Sequence, residues 1–312
     1  MIREDFHFLS KDAKTKIHGV RWMPDEGAVH GVIQLVHGMQ EYIGRYEELA
    51  SFLTARGYLV VGHDHLGHGQ SVRGRHHYGY FCKPKPSEVL VSDMHQVTSI
   101  TKGSYPDVPY FIFGHSMGSY LLRRYLTVYS DEVDGAILCG TGSVPPAVCR
   151  TGMAACVLLA LLKGWHYRSS FVKKVTFGKP YASFCLDGSD PENSWLSRNV
   201  ESVKRFYEDP MCNFDFTLNG YYGLMSTVLY DSKDEYIRKI RADLPIFMIS
   251  GAEDPVGGAG VGVKRVYRQY LKAGLGNVTM KLYKDDRHEL VNEPDRADVY
   301  ADIWEWMKHN AG

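Results

Sequence analysis

A serine sits between two glycines at Gly114-His115-Ser116-Met117-Gly118. The apolar run Tyr110-Phe111-Ile112-Phe113 precedes it, and a segment with helical rhythm follows from Met117. A strand that turns this sharply into a helix crowds the backbone around its central residue. Glycine two positions before and two after removes the Cβ atoms that would clash, the pattern of a nucleophile elbow. The hydroxyl then projects from the C-terminal edge of a sheet, at the positive end of the next helix, where an oxyanion is stabilised. The chemistry implied is acyl transfer to serine; the plain alternative is a glycine-rich turn, and the flanking strand and helix patterns argue against it.

A serine hydroxyl needs a general base, and the base needs an orienting acid. In an elbow protein they follow in the order serine, acid, histidine. Downstream of Ser116 stand His166, His288 and His309. His309 is three residues from the end and His166 precedes the last strand-like runs. His288 follows the strand-like VTMKLY in KDDRHEL, where the base belongs; its plain reading is a surface-loop histidine. For the acid, PIFMISGAEDPVG ends a strand and offers Glu253 and Asp254. Asp254 is favoured because Pro255 biases it toward an extended, loop-type backbone. Asp285 and Asp286 lie too close to His288 on its own loop and read as solvated. Two backbone amides are expected to hold the oxyanion: that of Met117, and that of Met39 after the third strand, where Gly38 lets the chain turn.

These groups need a scaffold. Apolar runs at 5–10, 16–22, 31–38, 58–64, 109–114, 135–140, 245–250 and 278–283 read as eight strands. The first two alternate weakly and suit an antiparallel edge; the others are near-continuous, as in strands covered on both faces. Helical patterns at 45–57, 87–103, 117–130 and 294–310 alternate with them, which predicts an α/β class with a mostly parallel eight-stranded sheet flanked by helices. The alternation stops after Gly140 and resumes at Leu244. Residues 1–143 with 242–312 are therefore expected to form the sheet core, and 144–241 a mainly helical inserted lid. Residues 144–186 carry Arg150, Lys163, Arg168, Lys173, Lys174 and Lys179 and no acid. Within them MAACVLLALL, Met153 to Leu162, is ten residues and too short to span a bilayer. An apolar helix flanked by cations can make transient contact with a membrane surface; a core-packed helix with a solvated basic face is the alternative.

Composition narrows the classes. Thirty-six Lys and Arg balance thirty-six Asp and Glu, so no global field attracts nucleic acid. Six scattered cysteines read as reduced thiols. The charged N-terminal residues Arg3, Glu4 and Asp5 do not suit a secretory leader, and the expected setting is cytoplasmic. His63, Asp64, His65 and His68 are crowded enough to suggest a metal, but further ligands at set positions are not evident, and neither metal nor cofactor is expected. HGMQEYIGRYEEL lacks the Gly-Lys-Ser/Thr ending of a phosphate loop.

Together, HGMQEYIGRYEELASFLTARGYLVVGHDHLGHGQS (37–71), GHSMGS (114–119), GAEDPV (251–256) and RHEL (287–290) resemble the monoacylglycerol lipase and lysophospholipase branch of the α/β-hydrolases, also called serine aminopeptidase-like. The resemblance covers most of the sheet region; in the lid only its location agrees. It implies the α/β-hydrolase fold and hydrolysis of lipid-like carboxylic esters. It carries Ser116 as nucleophile, Asp254 as acid, His288 as base and the Met39 and Met117 amides as oxyanion donors. Gln40 departs from the small residue or glycine of many relatives. A thioesterase, an aminopeptidase, a C–C bond hydrolase and a non-catalytic ligand-binding protein of the same fold are the competing expectations.

Overall fold

The computed structural model describes residues 1–311. Its eight strands are β1 (Ile2–Leu9), β2 (Lys16–Met23), β3 (Gly31–Val36), β4 (Tyr58–His63), β5 (Tyr110–His115), β6 (Gly135–Cys139), β7 (Ile246–Gly251) and β8 (Val278–Tyr283). They form one sheet in the order β1-β2-β4-β3-β5-β6-β7-β8. β1 pairs antiparallel with β2, and β2 with β4; the remaining pairings are parallel. The weak alternation of the first two runs thus marks an antiparallel edge, as expected.

β3 to β7 are buried along their whole length because both faces are covered. Ile33, Leu35, Phe111 and Phe113 point to one side, where α1 (Glu47–Thr54) and α10 (Arg296–His309) bury Leu53, Val299 and Ile303. Val32, Val36, Tyr110 and Ile112 point to the other, against Val97 of α2 (Pro86–Ser104), Leu122 of α3 (Met117–Tyr129) and Val266 of α9 (Val261–Ala273). A strand with apolar side chains on both faces loses the alternation of a half-exposed one, which is why these runs read as continuous.

Between β6 and β7 lie α4 (Pro146–Lys163), α5 (Ser170–Thr176), α6 (Val200–Glu208), α7 (Leu218–Asp231) and α8 (Asp234–Ile237). The Thr217 hydroxyl caps α7 by accepting the Gly220 N–H. Buried Arg123 of α3 donates to the carbonyls of Gly142 and Asp231, so both ends of this insertion are tied to one sheet-side helix.

Two expectations about the insertion are corrected. The ten residues 153–162 do not stand alone as a segment too short to span a bilayer: the helix that holds them, α4, runs for 18, with mean hydropathy 1.5, long and apolar enough to cross a membrane by length and composition. Nor is it a core-packed helix with a solvated basic face. Only 17% of that stretch is buried, Cys149, Cys156 and Ala160 facing inward, while Leu161 and Leu162 are 78% and 81% exposed. The helix extends further than the apolar run because Pro146 fits its first turn and starts it early.

Candidate active site

The predicted site residues come from separate chain segments and gather at one edge of the sheet. Ser116 follows β5, Met39 follows β3, Asp254 follows β7 and His288 follows β8, all beyond the carboxyl ends of parallel strands. This is where open α/β sheets place their ligands.

Ser116 has φ 52° and ψ −119°, a conformation that L-residues avoid and that here is fixed from both sides. Its N–H donates to the Cys139 carbonyl of β6, and its carbonyl accepts the Ser119 hydroxyl at 2.6 Å. The two glycines are explained by contact. A Cβ on Gly118 would lie 2.1 Å from the Val36 carbonyl oxygen, and one on Gly114 would lie 2.6 Å from that of Gly118. Strand, turn and helix pack backbone to backbone, with no room for a side chain.

His288 donates from Nδ1 to Asp254 Oδ2 at 3.0 Å, and both side chains are buried. The same carboxylate accepts the Ser250 hydroxyl at 3.2 Å, and its other oxygen accepts the Val256 N–H at 2.8 Å. Three donors fix the carboxylate, so the imidazole keeps its proton on Nδ1 and Nε2 is free as an acceptor. Glu253, the alternative acid, is half-exposed and faces Arg287 at 3.9 Å. Ser116 and His288 line one cavity of about 670 Å³; among the described residues no hydrogen bond joins the Ser116 hydroxyl to the imidazole. The Met39 and Met117 residues line the same cavity, and their N–H groups donate to no protein atom among the described residues.

Beneath these groups lies a buried network that sequence reasoning missed. One oxygen of Glu41 accepts the Gly38 N–H at 2.5 Å, the Tyr46 hydroxyl at 2.9 Å and His115 Nδ1 at 2.8 Å. Its other oxygen takes Arg45 at 3.1 Å, and Arg45 forks onto both oxygens of Glu289 at 2.7 Å. His115 Nε2 lies 3.2 Å from the His288 carbonyl. Residues beside Met39, Ser116 and His288, namely Gly38, His115 and Glu289, are therefore held by one carboxylate and one guanidinium. Burial pulls the His115 pKa down, but Glu41 outweighs it and holds it above its ordinary value. Burial would raise Glu41, yet the His115 and Arg45 charges hold it well below the usual carboxylate range. Gly38 is needed here because a Cβ would meet the Glu41 carboxylate at 2.6 Å and Ser116 Cβ at 3.0 Å. In the sequence Glu41 is one acid in the mixed turn HGMQEYIG, with no signal that sets it apart from a solvated one.

The insertion supplies Trp195, whose ring lies 5.0 Å from that of His288 and whose carbonyl accepts the His288 N–H at 3.4 Å. Phe177 and Tyr181 pack on Trp195, and Val148, Leu224, Met225 and Val228 complete an apolar lining. Gln40, the departure from the resembled pattern, has φ 60°, a left-handed conformation that suits glycine at that position. Its amide reaches the Phe214 carbonyl in the insertion.

Other expectations resolve differently. Asp286 is not solvated: it is fully buried and ion-paired with Arg198 from the insertion. Burial and the nearby carboxylates of Glu293 and Asp295 push it up to about 7. His63, His65 and His68 are buried without partners for most of their nitrogens; His63 meets His65 edge-on, His65 packs against His37, and His68 stacks on Phe81. Burial holds His63 and His68 down at about 3, so they pack as neutral rings. Asp64 instead organises its loop, accepting from His18 and from the N–H groups of Ile43 and Gln70. All six cysteines are free thiols.

Residues 27–295 match the family model described as serine aminopeptidase, S33. The monoacylglycerol lipase of Mycolicibacterium smegmatis is 28% identical over 289 residues, covering 92% of this chain and 90% of that protein. The monoglyceride lipase of Rattus norvegicus is 28% identical over 291 residues, covering 92% and 85%. A solved thermostable carboxyl esterase from Bacillus coagulans, in complex with glycerol, superposes with a TM-score of 0.89 at 27% identity over the full length of both chains. The chain belongs to the serine aminopeptidase S33 family of α/β-hydrolases and is a serine hydrolase.

Proposed function

We propose that this hydrolase cleaves lipid-like carboxylic esters, monoacylglycerols or lysophospholipids, through an acyl-enzyme on Ser116. The observation that carries the reading is the meeting, in one largely apolar cavity, of a strained elbow serine, an imidazole oriented by a buried carboxylate and two unpartnered backbone amides. The ester carbonyl sits over Ser116 with its oxygen toward the Met39 and Met117 amides. His288 Nε2 takes the hydroxyl proton as Ser116 Oγ attacks, and Asp254 stabilises the imidazolium that forms. The two amides hold the tetrahedral oxyanion, each worth about 3 kcal/mol in the transition state. Collapse expels the alcohol, which takes its proton from His288. Water then repeats the sequence on the acyl-enzyme and frees the acid. Closure of the Ser116–His288 hydrogen bond accompanies substrate binding, since such contacts are often loose in an empty site.

Residues 144–241 act as a cap over this chemistry, and their apolar lining suits an acyl chain. The exposed face of α4 and α5, which includes Leu158, Leu161, Leu162 and Phe171, lies flat on a lipid surface and presents the cavity to it. A peptide amine finds little here: the acids lining the cavity, Glu41 and Glu289, are neutralised by His115 and Arg45. The names of the relatives, monoacylglycerol and monoglyceride lipases, support the ester reading.

The test is a hydrolysis panel of monoacylglycerols, lysophospholipids, acyl-CoA thioesters and proline-amide peptides, beside fluorophosphonate labelling. Turnover of the lipid esters, with Ser116→Ala losing both turnover and label, is the expected result. Labelling with turnover confined to thioesters or peptides would move the substrate class, and retained activity in Ser116→Ala would remove the nucleophile.

A further inference from the structure

Two long stretches of this charge-neutral chain carry no acidic residue. Residues 144–186 hold the six cations named above; residues 255–284 hold Lys264, Arg265, Arg268, Lys272, Lys281 and Lys284. They are far apart in sequence, yet they fold as two walls of one cleft. Val144, Lys179 and Tyr181 from the first stretch and Val256, Val261 and Arg265 from the second line the cavity that contains Ser116. Among the described residues, Lys173 with Asp215 and Lys281 with Asp302 are the ion pairs that these cations make. Lys179 and Arg265 are exposed and unpaired, one on each wall.

The acids that line the cavity do not offset this charge. Glu41 and Glu289 are buried and already joined to His115 and Arg45. The uncompensated charge among the lining residues is therefore positive and solvent-exposed, in a cleft whose lining is otherwise largely apolar. Such a cleft concentrates the field at its opening. A neutral glycerol head group can accept hydrogen bonds from the two cations but leaves their charge unpaired, and an acyl chain occupies the apolar lining rather than the charged side chains.

We infer that the substrate is a single-chain lipid ester whose head group carries an anion, a phosphate or carboxylate, held between Lys179 and Arg265. This rests on the ester-hydrolase reading and narrows it from monoacylglycerols or lysophospholipids to monoacyl lipids with an anionic head group. Each exposed pairing is weak alone, and two acting together in one cleft give a preference on the order of tenfold in kcat/KM.

The experiment compares 1-octanoylglycerol with 1-octanoylglycerol 3-phosphate, both below their critical micelle concentrations and without vesicles, by release of octanoate. The phosphate ester is expected to show the higher kcat/KM, and the anionic-to-neutral ratio to fall by about tenfold in the Lys179→Gln, Arg265→Gln double variant. Raising NaCl from about 20 to about 300 mM should lower the same ratio, since exposed charges are screened. A ratio at or below one in the wild type, or a ratio unchanged in the double variant, overturns the inference. So does a third outcome: the double variant loses turnover of the neutral ester on phosphatidylglycerol vesicles but keeps the ratio for monomeric esters, which assigns the cations to the membrane surface. Cleavage of neither ester is the failure of the ester reading itself and is distinct from equal cleavage of both.

Discussion

At the scale of single residues, the elbow is the part of the site that a sequence can carry, because its constraints are local. Gly114 and Gly118 flank Ser116 within five positions, and the contacts that demand them are backbone atoms of the same strand–turn–helix and of adjoining β3. A Gly118→Ala protein must displace the Val36 carbonyl, so it is expected to lose more than about 3 kcal/mol in urea unfolding together with its esterase activity. Wild-type stability in that variant would mean that the elbow is looser than described. Glu41 was not legible in this way. Gly38, Arg45 and Tyr46 stand within five residues of it, but His115, 74 residues away, and Glu289, which Arg45 also holds, join the network only through the fold. Nothing local distinguishes such an acid from a solvated one. Glu41→Gln leaves Arg45 and His115 with one buried carboxylate fewer, an expected loss of about 3 kcal/mol. A positioning role predicts more than instability: kcat should fall while KM for a soluble p-nitrophenyl ester holds, because the Gly38 amide and the His115 ring are no longer pinned. A stability loss with unchanged kcat would reduce Glu41 to a structural group.

At the scale of elements, strand identity was readable because burial on both faces leaves continuous apolar runs. The sheet order was not, because pairing β4 between β2 and β3 depends on a crossover that no local pattern records. The character of α4 was misread for a related reason. Its apolar content looks the same whether the partner is protein or lipid, and only packing tells which face is left over. In the fold α7 takes the side bearing Cys149 and Cys156, and the leucines at the far end face outward. Asp286 failed in the opposite sense, since KDDRHEL looks solvated until the insertion brings Arg198 down onto it. If the outward face of α4 meets lipid, Leu161→Ser with Leu162→Ser should weaken binding to phosphatidylcholine vesicles by roughly tenfold or more, since burying each leucine contributes about 1.5–3 kcal/mol. Sedimentation with vesicles measures it. Turnover of a soluble ester in the double variant should match wild type, because neither side chain lines the cavity. Equal sedimentation of the two proteins would leave the patch without a lipid role.

At the scale of the whole molecule, the buried titratable groups pull stability in opposite directions with pH. Burial depresses His37, His63, His65 and His68, so each is neutral in the fold below the pH at which the unfolded chain protonates it. Their contribution is present above about pH 6.5 and is lost as pH falls. Burial raises Asp231 to about 8 and Asp286 to about 7, so their contribution is fully present below about pH 4 and is lost as pH rises through those values. Between about pH 4 and 6.5 the unfolded chain gains protons on these four imidazoles and on His7, His77 and His166, which are also depressed, while the fold holds extra protons on Asp93, Asp231, Asp286 and Glu293. The histidines win, and stability climbs with pH by about 1.4 kcal/mol per unit for each unbalanced proton. Above about pH 6.5 the imidazoles no longer differ, but Asp231, Asp286 and the raised His115 still hold protons in the fold, so the slope reverses. Urea midpoints should therefore peak near pH 6.5 and fall toward both pH 5 and pH 8.5. Replacing one depressed imidazole tests the assignment directly. His63, whose two ring nitrogens are buried without partners beside Phe8, tolerates a ring of similar size. His63→Phe should make the acid limb shallower by the equivalent of one proton and leave the alkaline limb in place. A midpoint that keeps rising to pH 8.5, or an acid limb unaltered in His63→Phe, would show that these buried rings do not govern the acid stability of the fold.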